Sequence, residues 1–314
     1  MLISICIATY KRPKRLRLLL EGIDKLNFKK IEQPQIEVIV VDNDTAGIAE
    51  KICEEIRPQF YWNLRTGIEY ERGITYARNK TISMVSPDAD FIAILDDDEI
   101  PEPSWLEELL IAQRQYNSDI VTGPVIPRFE NTEVADWIVR GKFFEPPRYL
   151  TGKTRPVAYT NNVLVKADLL RKLDPVFDNR FAILGGSDCY LFLNLHKAGY
   201  KIVWADEAIV YDNIPSSRTN LKWILFRGYR EPSSYSSAEK ELYPSFCVQF
   251  VRTLKGFALI GIGIVKFIPS LLIEKAAIVN SLVYICRGLG TLGGLIGIFY
   301  KEYKHRGSLK SAEE

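Results

Sequence analysis

The stretch FIAILDDDEIP, residues 91–101, decides how this chain is read. The uninterrupted apolar run from Phe91 to Leu95 fits a strand buried on both faces. It delivers three consecutive carboxylates, Asp96, Asp97 and Asp98, with Glu99 behind them. Pro101 and Pro103 then turn the chain into SWLEELLIAQRQY, whose apolar spacing predicts a helix. Adjacent acids repel one another, so the arrangement is costly unless a cation occupies it. Oxygen-only ligands of this kind suit Mg²⁺ or Mn²⁺, which keep several waters and take further ligands from phosphates. A solvated acidic turn is the plainer alternative for the triplet alone, and its context between a buried strand and a helix argues against it.

Working outward, the same plan recurs. LISICIAT reads as a strand ending at Thr9 and Tyr10, and the basic loop and helix KRPKRLRLLLEGIDKL follow it. IEVIVVDN is a second strand, closing at Asp42 before a helix that runs to about Ile56. YWNLR suggests a short third strand, and GITYARNKTISMV a helix carrying Arg78 and Asn79 just ahead of the acidic strand. Strands alternating with helices of this length indicate an α/β fold with a mostly parallel sheet, in which ligands bind at the carboxyl ends of the strands. Thr9, Asp42 and Asp96 to Asp98 all fall there.

Beyond the acidic strand, SDIVTGPVIP reads as one strand and Arg128–Pro156 as a long aromatic loop over the site. AYTNNVLVKADLLRKL returns to strand and helix. GGSDCYLFLNLHKAGYKIVW is a Gly-rich turn, helix and strand with Asp188 near the helix start, and EAIVYD ends the mixed sheet. SRTNLKWILFRGYRE is an aromatic, arginine-rich helix. GFALIGIGIVKFIPSLLI and AAIVNSLVYICRGLGTLGGLIGIFY then hold only Lys266 and Arg287 as interior charges. A span needs about 20 apolar residues, so the second segment is long enough and the first marginal. Pro269 and the many glycines keep an interfacial or re-entrant pair open, and a packed helical appendage is the alternative. Basic residues on both flanks, Arg252 and Lys255 before and Lys301, Lys304 and Arg306 after, favour the cytoplasmic side.

Composition narrows the classes. The 314 residues are 47% hydrophobic and 25% charged, enough for a sizeable core, and the net charge of +2 gives no argument for nucleic acid. Five scattered cysteines without a CxxC spacing read as reduced thiols, with neither a zinc site nor a disulfide framework. The first residues enter a strand directly, so no cleaved signal peptide is expected. Neither GxxxxGK[ST] nor GxGxxG is present, which argues against a P-loop and a dinucleotide site. With only His196 and His305 available, a histidine-dependent nucleophile has little support. A metal held among Asp96 to Asp98 most naturally clamps a diphosphate. Arg12 and Arg78 suit its oxygens, and Asp42 suits a base or ribose. Asp188, after Gly185 and Gly186, is the best candidate base.

Taken in order, ATYKRP, VVDN, GITYARN, LDDDEIPEPSWLEEL and GGSDCYLFLNLHKAGY resemble a family 2 glycosyltransferase with a GT-A-type nucleotide-sugar fold, over roughly residues 1–213. The resemblance implies inverting transfer from a nucleotide diphosphate sugar, expected to be a UDP-sugar. It implies Asp42 on the uracil, Asp96 and Asp97 on ribose and phosphates, and Asp98, with Asp96, on Mn²⁺ or Mg²⁺. Asp188 would be the catalytic base, while Thr9, Tyr10, Arg12, Arg78 and Asn79 complete the nucleotide-sugar site. Trp137 and Tyr149 are candidates to stack on an acceptor sugar or to anchor their loop.

Two departures matter. Ser187-Asp188 stands where many relatives carry Glu-Asp, and the QxxRW signature of processive synthases is missing, with RTNLKWILFRGYR its nearest counterpart. One sugar per encounter is therefore expected. DDDEIPEPSWL and the helical tail are similar to exopolysaccharide-assembly transferases that act on lipid-linked acceptors. The expected organisation is a transferase domain (1–213), a connecting helix (214–250), membrane-associated helices (251–300) and a basic tail (301–314), on the cytoplasmic face of the cell membrane. The competing classes are a non-catalytic membrane-bound sugar-nucleotide or glycan-binding module and a metal-dependent phosphohydrolase. The latter's DxDx[TV] is missing after the first strand, which ends in ATYKRP. Plainer roles also stand for single residues: Asp188 and Asp42 as helix caps, Arg78 and Asn79 as a solvated helix face.

Overall fold

The computed structural model describes residues 1–130 and 134–298. It divides into two compact units, Met1–Ile126 with Pro146–Asp212, and Pro127–Glu145 with the chain from Asn213 onward. In chain order the elements are β1 (Leu2–Thr9), α1 (Pro13–Asp24), β2 (Gln35–Asp42), α2 (Ile48–Ile56), β3 (Asn63–Ile68), α3 (Ile74–Ser83), β4 (Phe91–Asp96) and β5 (Glu99–Pro101). Next come α4 (Trp105–Tyr116), β6 (Ile120–Thr122), β7 (Val125–Phe129), α5 (Asp136–Gly141), β8 (Val163–Lys166), α6 (Ala167–Leu170), α7 (Ser187–Lys197), β9 (Ile202–Trp204) and β10 (Val210–Ile214). Three long helices follow: α8 (Leu221–Leu242), α9 (Phe246–Ser270) and α10 (Lys275–Leu295).

The main sheet has seven strands in the order β3-β2-β1-β4-β8-β6-β9. β1 pairs in parallel with β2 and β4, as do β2 with β3 and β6 with β9, while β8 runs antiparallel between β4 and β6. The mostly parallel α/β reading of the sequence holds. Alternate residues of β1, Ile3, Ile5 and Ile7, are fully buried in the core against Leu16, Leu19, Leu20 and Ile23 of α1. Those four positions recur at helical spacing after Pro13, which suits the first turn of a helix. Each such side chain stabilises the unit by about 1.5–3 kcal/mol. On the opposite face of β1, Ser4 donates to buried Glu37 at 2.6 Å, and burial pushes the Cys6 thiol up to about 12. All five cysteines are free.

The structure departs from the sequence reading in three places. SDIVTGPVIP is two strands, broken at Gly123-Pro124. A side chain at Gly123 would meet the Ala208 carbonyl at 2.5 Å and Asn162 at 2.8 Å, so only glycine permits that approach. EAIVYD does not end the main sheet; β10 joins a second, three-stranded sheet ordered β5-β10-β7. The Arg128–Pro156 stretch is not one loop over the site, because it contains the end of β7 and all of α5 and is shared between the two units.

In the second unit α10 is the middle helix of a layer, with α8 against one side and α9 against the other. Ile138, Phe144, Ile214, Ile224, Val279 and Val283 form its core. Both α9 and α10 are long and apolar enough to cross a membrane by length and composition. Lys301, Lys304 and Arg306, and the tail assigned to 301–314, lie outside the described residues.

Candidate active site at the sheet edge

The register brings three strand ends level. Thr9 lies opposite Asp42, and Ala8 opposite Asp96, so the carboxyl termini of β1, β2 and β4 share one edge. At this edge three guanidinium groups meet the three acids. Arg12 Nη1 reaches Asp97 Oδ1 at 2.6 Å and Asp98 Oδ2 at 3.1 Å. Arg15 Nη1 reaches Asp98 Oδ2 at 3.2 Å, and Arg78 Nη2 donates to Asp96 Oδ1 at 2.8 Å. Thr9 Oγ1 donates to Asp97 Oδ2 at 2.8 Å. The repulsion expected of the acidic run is thus relieved by arginines. Burial still raises the Asp97 pKa, against the Arg12 charge beside it.

Glu99 is buried beneath the turn, and one of its oxygens accepts the Asp96 N–H at 3.0 Å. Burial first, then the charges of Asp96, Asp98 and Asp212, hold its carboxyl well above the usual range. A neutral Glu99 adds no fourth negative charge to the cluster.

Asp42 closes β2 but serves its own loop. Its two oxygens accept the N–H groups of Asp44 and Ala49, each at 2.9 Å, so it caps α2 from a distance. Burial raises its pKa, opposed by those donors. It also lines a shallow, solvent-open depression together with Thr9, Lys11, Arg12, Ile48 and Ala49. Capping α2 and lining the depression are compatible, since each carboxylate oxygen retains a lone pair. Tyr10 forms part of the same loop, with Lys11 Nζ and the Arg72 guanidinium 5.3 and 5.4 Å from its ring centre.

Asn79, expected at the nucleotide, bonds within the chain. Its amide is committed to the chain itself, donating to the Phe177 carbonyl and accepting the Phe177 N–H, both at 2.8 Å. One residue earlier on α3 the side chain points about 100° away, and Arg78 does face the acids. Trp137 and Tyr149, the candidates to stack on an acceptor sugar or to anchor their loop, belong to different units. Trp137 packs against Phe143 and carries Lys275 at 4.7 Å, while Tyr149 has Arg155 at 3.7 Å over its ring and Trp204 at its edge. Both rings anchor their own segments.

Asp188 lies in the first turn of α7, after Gly185 and Gly186 with φ of 79° and 85°. The cap position belongs to Gly186, so Asp188 is not the N-cap, and its Oδ1 accepts the Cys189 N–H at 2.8 Å. A carboxylate in the first turn is favoured by the helix dipole.

Sequence reasoning missed four contributors. Arg15, three residues after Arg12 in the first turn of α1, had helical spacing as its signal. Asn43 accepts the Gly73 N–H at 2.8 Å and donates to the carbonyls of Glu69 and Glu71, tying down the loop before α3. Gly73, at φ 150°, is pressed so close to Ala182 that a side chain there would approach it to 2.7 Å. Glu99, read only as one more acid, is the buried support of the turn.

A mixed sheet with basic and acidic groups converging where β1, β2 and β4 end defines a nucleotide-sugar-dependent transferase of the GT-A type. The chain belongs to glycosyl transferase family 2, whose family model matches residues 4–173. It is 31% identical over 234 residues to the succinoglycan biosynthesis protein ExoM of Rhizobium meliloti, covering 74% of each chain. In fold it is similar to the mannosyltransferase PcManGT of Pyrobaculum calidifontis in complex with GDP-Man and Mn²⁺, at 14% identity. The TM-score is 0.62, covering 94% of this chain and 86% of that one. S. aureus TarS 1-349 in complex with UDP is also similar, with TM-score 0.53, 15% identity and 95% and 92% coverage. The chain is a glycosyltransferase, which removes the phosphohydrolase and the non-catalytic module as readings.

Among the described residues no group of three or more His, Cys, Asp or Glu side chains converges as a metal site. The donor set nevertheless fits a divalent ion shared with substrate, for which one or two carboxylates suffice when phosphates and water supply the rest. Asp96 keeps 37% of its side chain exposed, and Asp98 follows it two positions on in the same turn.

Proposed function

We propose that this glycosyltransferase moves one sugar, with inversion, from a UDP-sugar to a lipid-linked or membrane glycan acceptor at the cytoplasmic face of the cell membrane, in cell-surface polysaccharide assembly. The observation that carries the reading is the edge cluster itself: Arg12, Arg15 and Arg78 with Asp96, Asp97 and Asp98, beside the depression lined by Asp42. The three arginines balance the three carboxylates, so a diphosphate would arrive with uncompensated charge. A divalent Mn²⁺ or Mg²⁺ held by Asp98 and Asp96 would supply that charge as a Lewis acid. The name of the Rhizobium relative, a succinoglycan biosynthesis protein, supports the polysaccharide setting.

In this reading Asp42, Thr9 and Tyr10 border the base and ribose, and Asp97, tied to Thr9 and Arg12, sets the wall of the ribose-phosphate site. Arg12 and Arg78 turn from their aspartates to the diphosphate oxygens as negative charge develops there. Asp188 takes the proton of the acceptor hydroxyl. The new bond from that oxygen to the anomeric carbon forms as the bond to the diphosphate breaks on the opposite face, and UDP leaves. Released UDP should appear only when nucleotide sugar, divalent ion and membrane-extracted acceptor are combined. Sugar transfer undiminished in excess EDTA would remove the metal from the proposal, and no transfer from any UDP-sugar would remove the donor.

A further inference from the structure

The two apolar C-terminal helices are equal candidates by length, yet their surroundings differ. α10 is packed between two neighbouring helices, with 44% of its apolar window buried against 11% for α9. A side chain at Gly290 would meet the Tyr229 carbonyl of α8 at 2.0 Å, and one at Gly294 the Ser233 carbonyl at 2.3 Å. On the α9 side, Gly288 abuts the Gly256 carbonyl at 2.6 Å, and Gly263 the Ser281 carbonyl at 2.8 Å. At its start α10 packs against α5. α8, which follows α10 along its length, carries seven charged residues, and its Lys240 Nζ donates to the Leu295 carbonyl at 2.7 Å. Near the middle of α10, Arg287 faces Glu231 of α8. That carboxyl is half exposed, Arg227 Nε donates to it at 2.6 Å, and the charges of Arg227, Arg230 and Arg287 hold it below its usual range.

If α10 crossed a bilayer, the charged helix bound to it would have to enter the hydrocarbon with it. Arg227, Arg230, Glu231 and Arg287 would then lie near the midplane, the costliest depth for charge. α9 has the opposite surroundings. Its fully buried residues are Gly256, Gly263 and Ser270, a seam repeating every seventh position; Val248, Arg252, Leu259, Ile260 and Phe267 are half-buried beside it, and the opposite face is exposed. Phe250, Leu254, Phe257, Val265, Ile268 and Leu272 form one continuous stripe at 52, 53, 60, 72, 70 and 90% exposure. No acidic residue occurs between Phe246 and Ser270; the exposed Lys255 lies on one flank of the helix, away from that stripe, and Lys266 on the same flank sits 4.5 Å over the Tyr284 ring of α10. A patch of this size is not left to water in a soluble protein. An apolar stripe with lysines at its side matches a leaflet of anionic lipid.

We infer that α9 lies in the plane of the membrane surface, with its Phe250–Leu272 stripe in one leaflet, and that α10 is a helix packed between α8 and α9 and not a span. This rests on the membrane-bound reading proposed above, and it assigns monotopic attachment through one helix.

The full-length protein, with Cys247→Ser as background, is labelled with bimane at Leu254→Cys, Val265→Cys or Leu272→Cys. It is bound to phosphatidylglycerol–phosphatidylcholine vesicles carrying brominated lipids of graded depth. All three probes should report the same shallow depth. Depths running through the bilayer centre would overturn the inference in favour of a span. Val265→Asp with Ile268→Asp should weaken vesicle binding at least tenfold without lowering the melting temperature. Binding that survives this change would overturn it, as would a wild-type chain that stays off vesicles and sediments as a dimer, with a second copy on the stripe. UDP affinity measured on the same samples tests the transferase site separately. Loss of nucleotide binding with intact shallow attachment would sink the site assignment and not the attachment.

Discussion

The sheet edge and the helical layer solve opposite problems. Where β1, β2 and β4 end, the chain gathers charge, and each of the three acids has a basic partner: Thr9 and Arg12 on Asp97, Arg12 and Arg15 on Asp98, Arg78 on Asp96. In the layer of α8, α10 and α9 the contacts are between backbones, admitted by glycines whose absent side chains leave no room to spare. The first region depends on chemistry at fixed size. The second depends on size almost regardless of chemistry, since small-residue seams hold helices through close van der Waals approach.

That contrast is testable by isosteric against steric change. The largest effect is expected at Asp188. Asp188→Asn keeps shape and the helix start, because Gly186 holds the cap position. Turnover should fall on the order of a hundredfold or more with donor affinity and melting temperature nearly unchanged. An Asn variant with near-normal turnover would take Asp188 out of the mechanism.

Asp98→Asn comes next, again at constant size. Losing one ligand charge should lower UDP affinity in Mn²⁺ on the order of tenfold, while affinity in EDTA stays as it is. Calorimetric titration showing equal losses in both buffers would mean that Asp98 acts only through Arg12 and Arg15.

A steric change in the helical layer should reverse the signature. Gly290→Ala puts a methyl group against the Tyr229 carbonyl, and overpacking of that kind costs about 1–3 kcal/mol. Thermal denaturation should show the loss, with nucleotide affinity of the folded protein intact. Full stability would show that α8 and α10 part more readily than their contact suggests.

The smallest effect concerns pH. Glu99 has an ordinary value of 4.5 and is raised by burial and by Asp96, Asp98 and Asp212. Above pH 4.5 the unfolded chain has released this proton while the folded chain still holds it, so stability declines as pH rises towards the folded value. Glu99→Gln removes that decline, and its melting temperature should fall less than the wild type's between pH 5 and 8. Parallel curves would show that Glu99 is ionised in the folded protein.

Much of the first unit was legible because strand and helix periods, and the position of acids after an apolar run, are local properties. β1, β2 and β4 and the helices between them follow from spacing alone, and so does the shared edge at which Thr9, Asp42 and Asp96 fall. What spacing does not carry is partnership. Arg78 and Asn79 are neighbours in sequence and both polar, yet one reaches Asp96 and the other the backbone of Phe177, 98 positions away. Glu99 follows three aspartates in sequence, yet it is buried with no arginine partner among the described residues and accepts the Asp96 N–H.

By itself the sequence determined the alternation of strands and helices, the carboxyl edge as the place of chemistry, and an apolar C-terminal region of two segments. The tertiary structure decided the rest. It sent β10 to the second sheet, divided the Arg128–Pro156 stretch between two units, and separated α10, packed between α8 and α9, from α9, exposed along one face. Apolar length is a property of a segment, whereas burial depends on which other segments come to cover it. Only the assembled layer could tell those two helices apart.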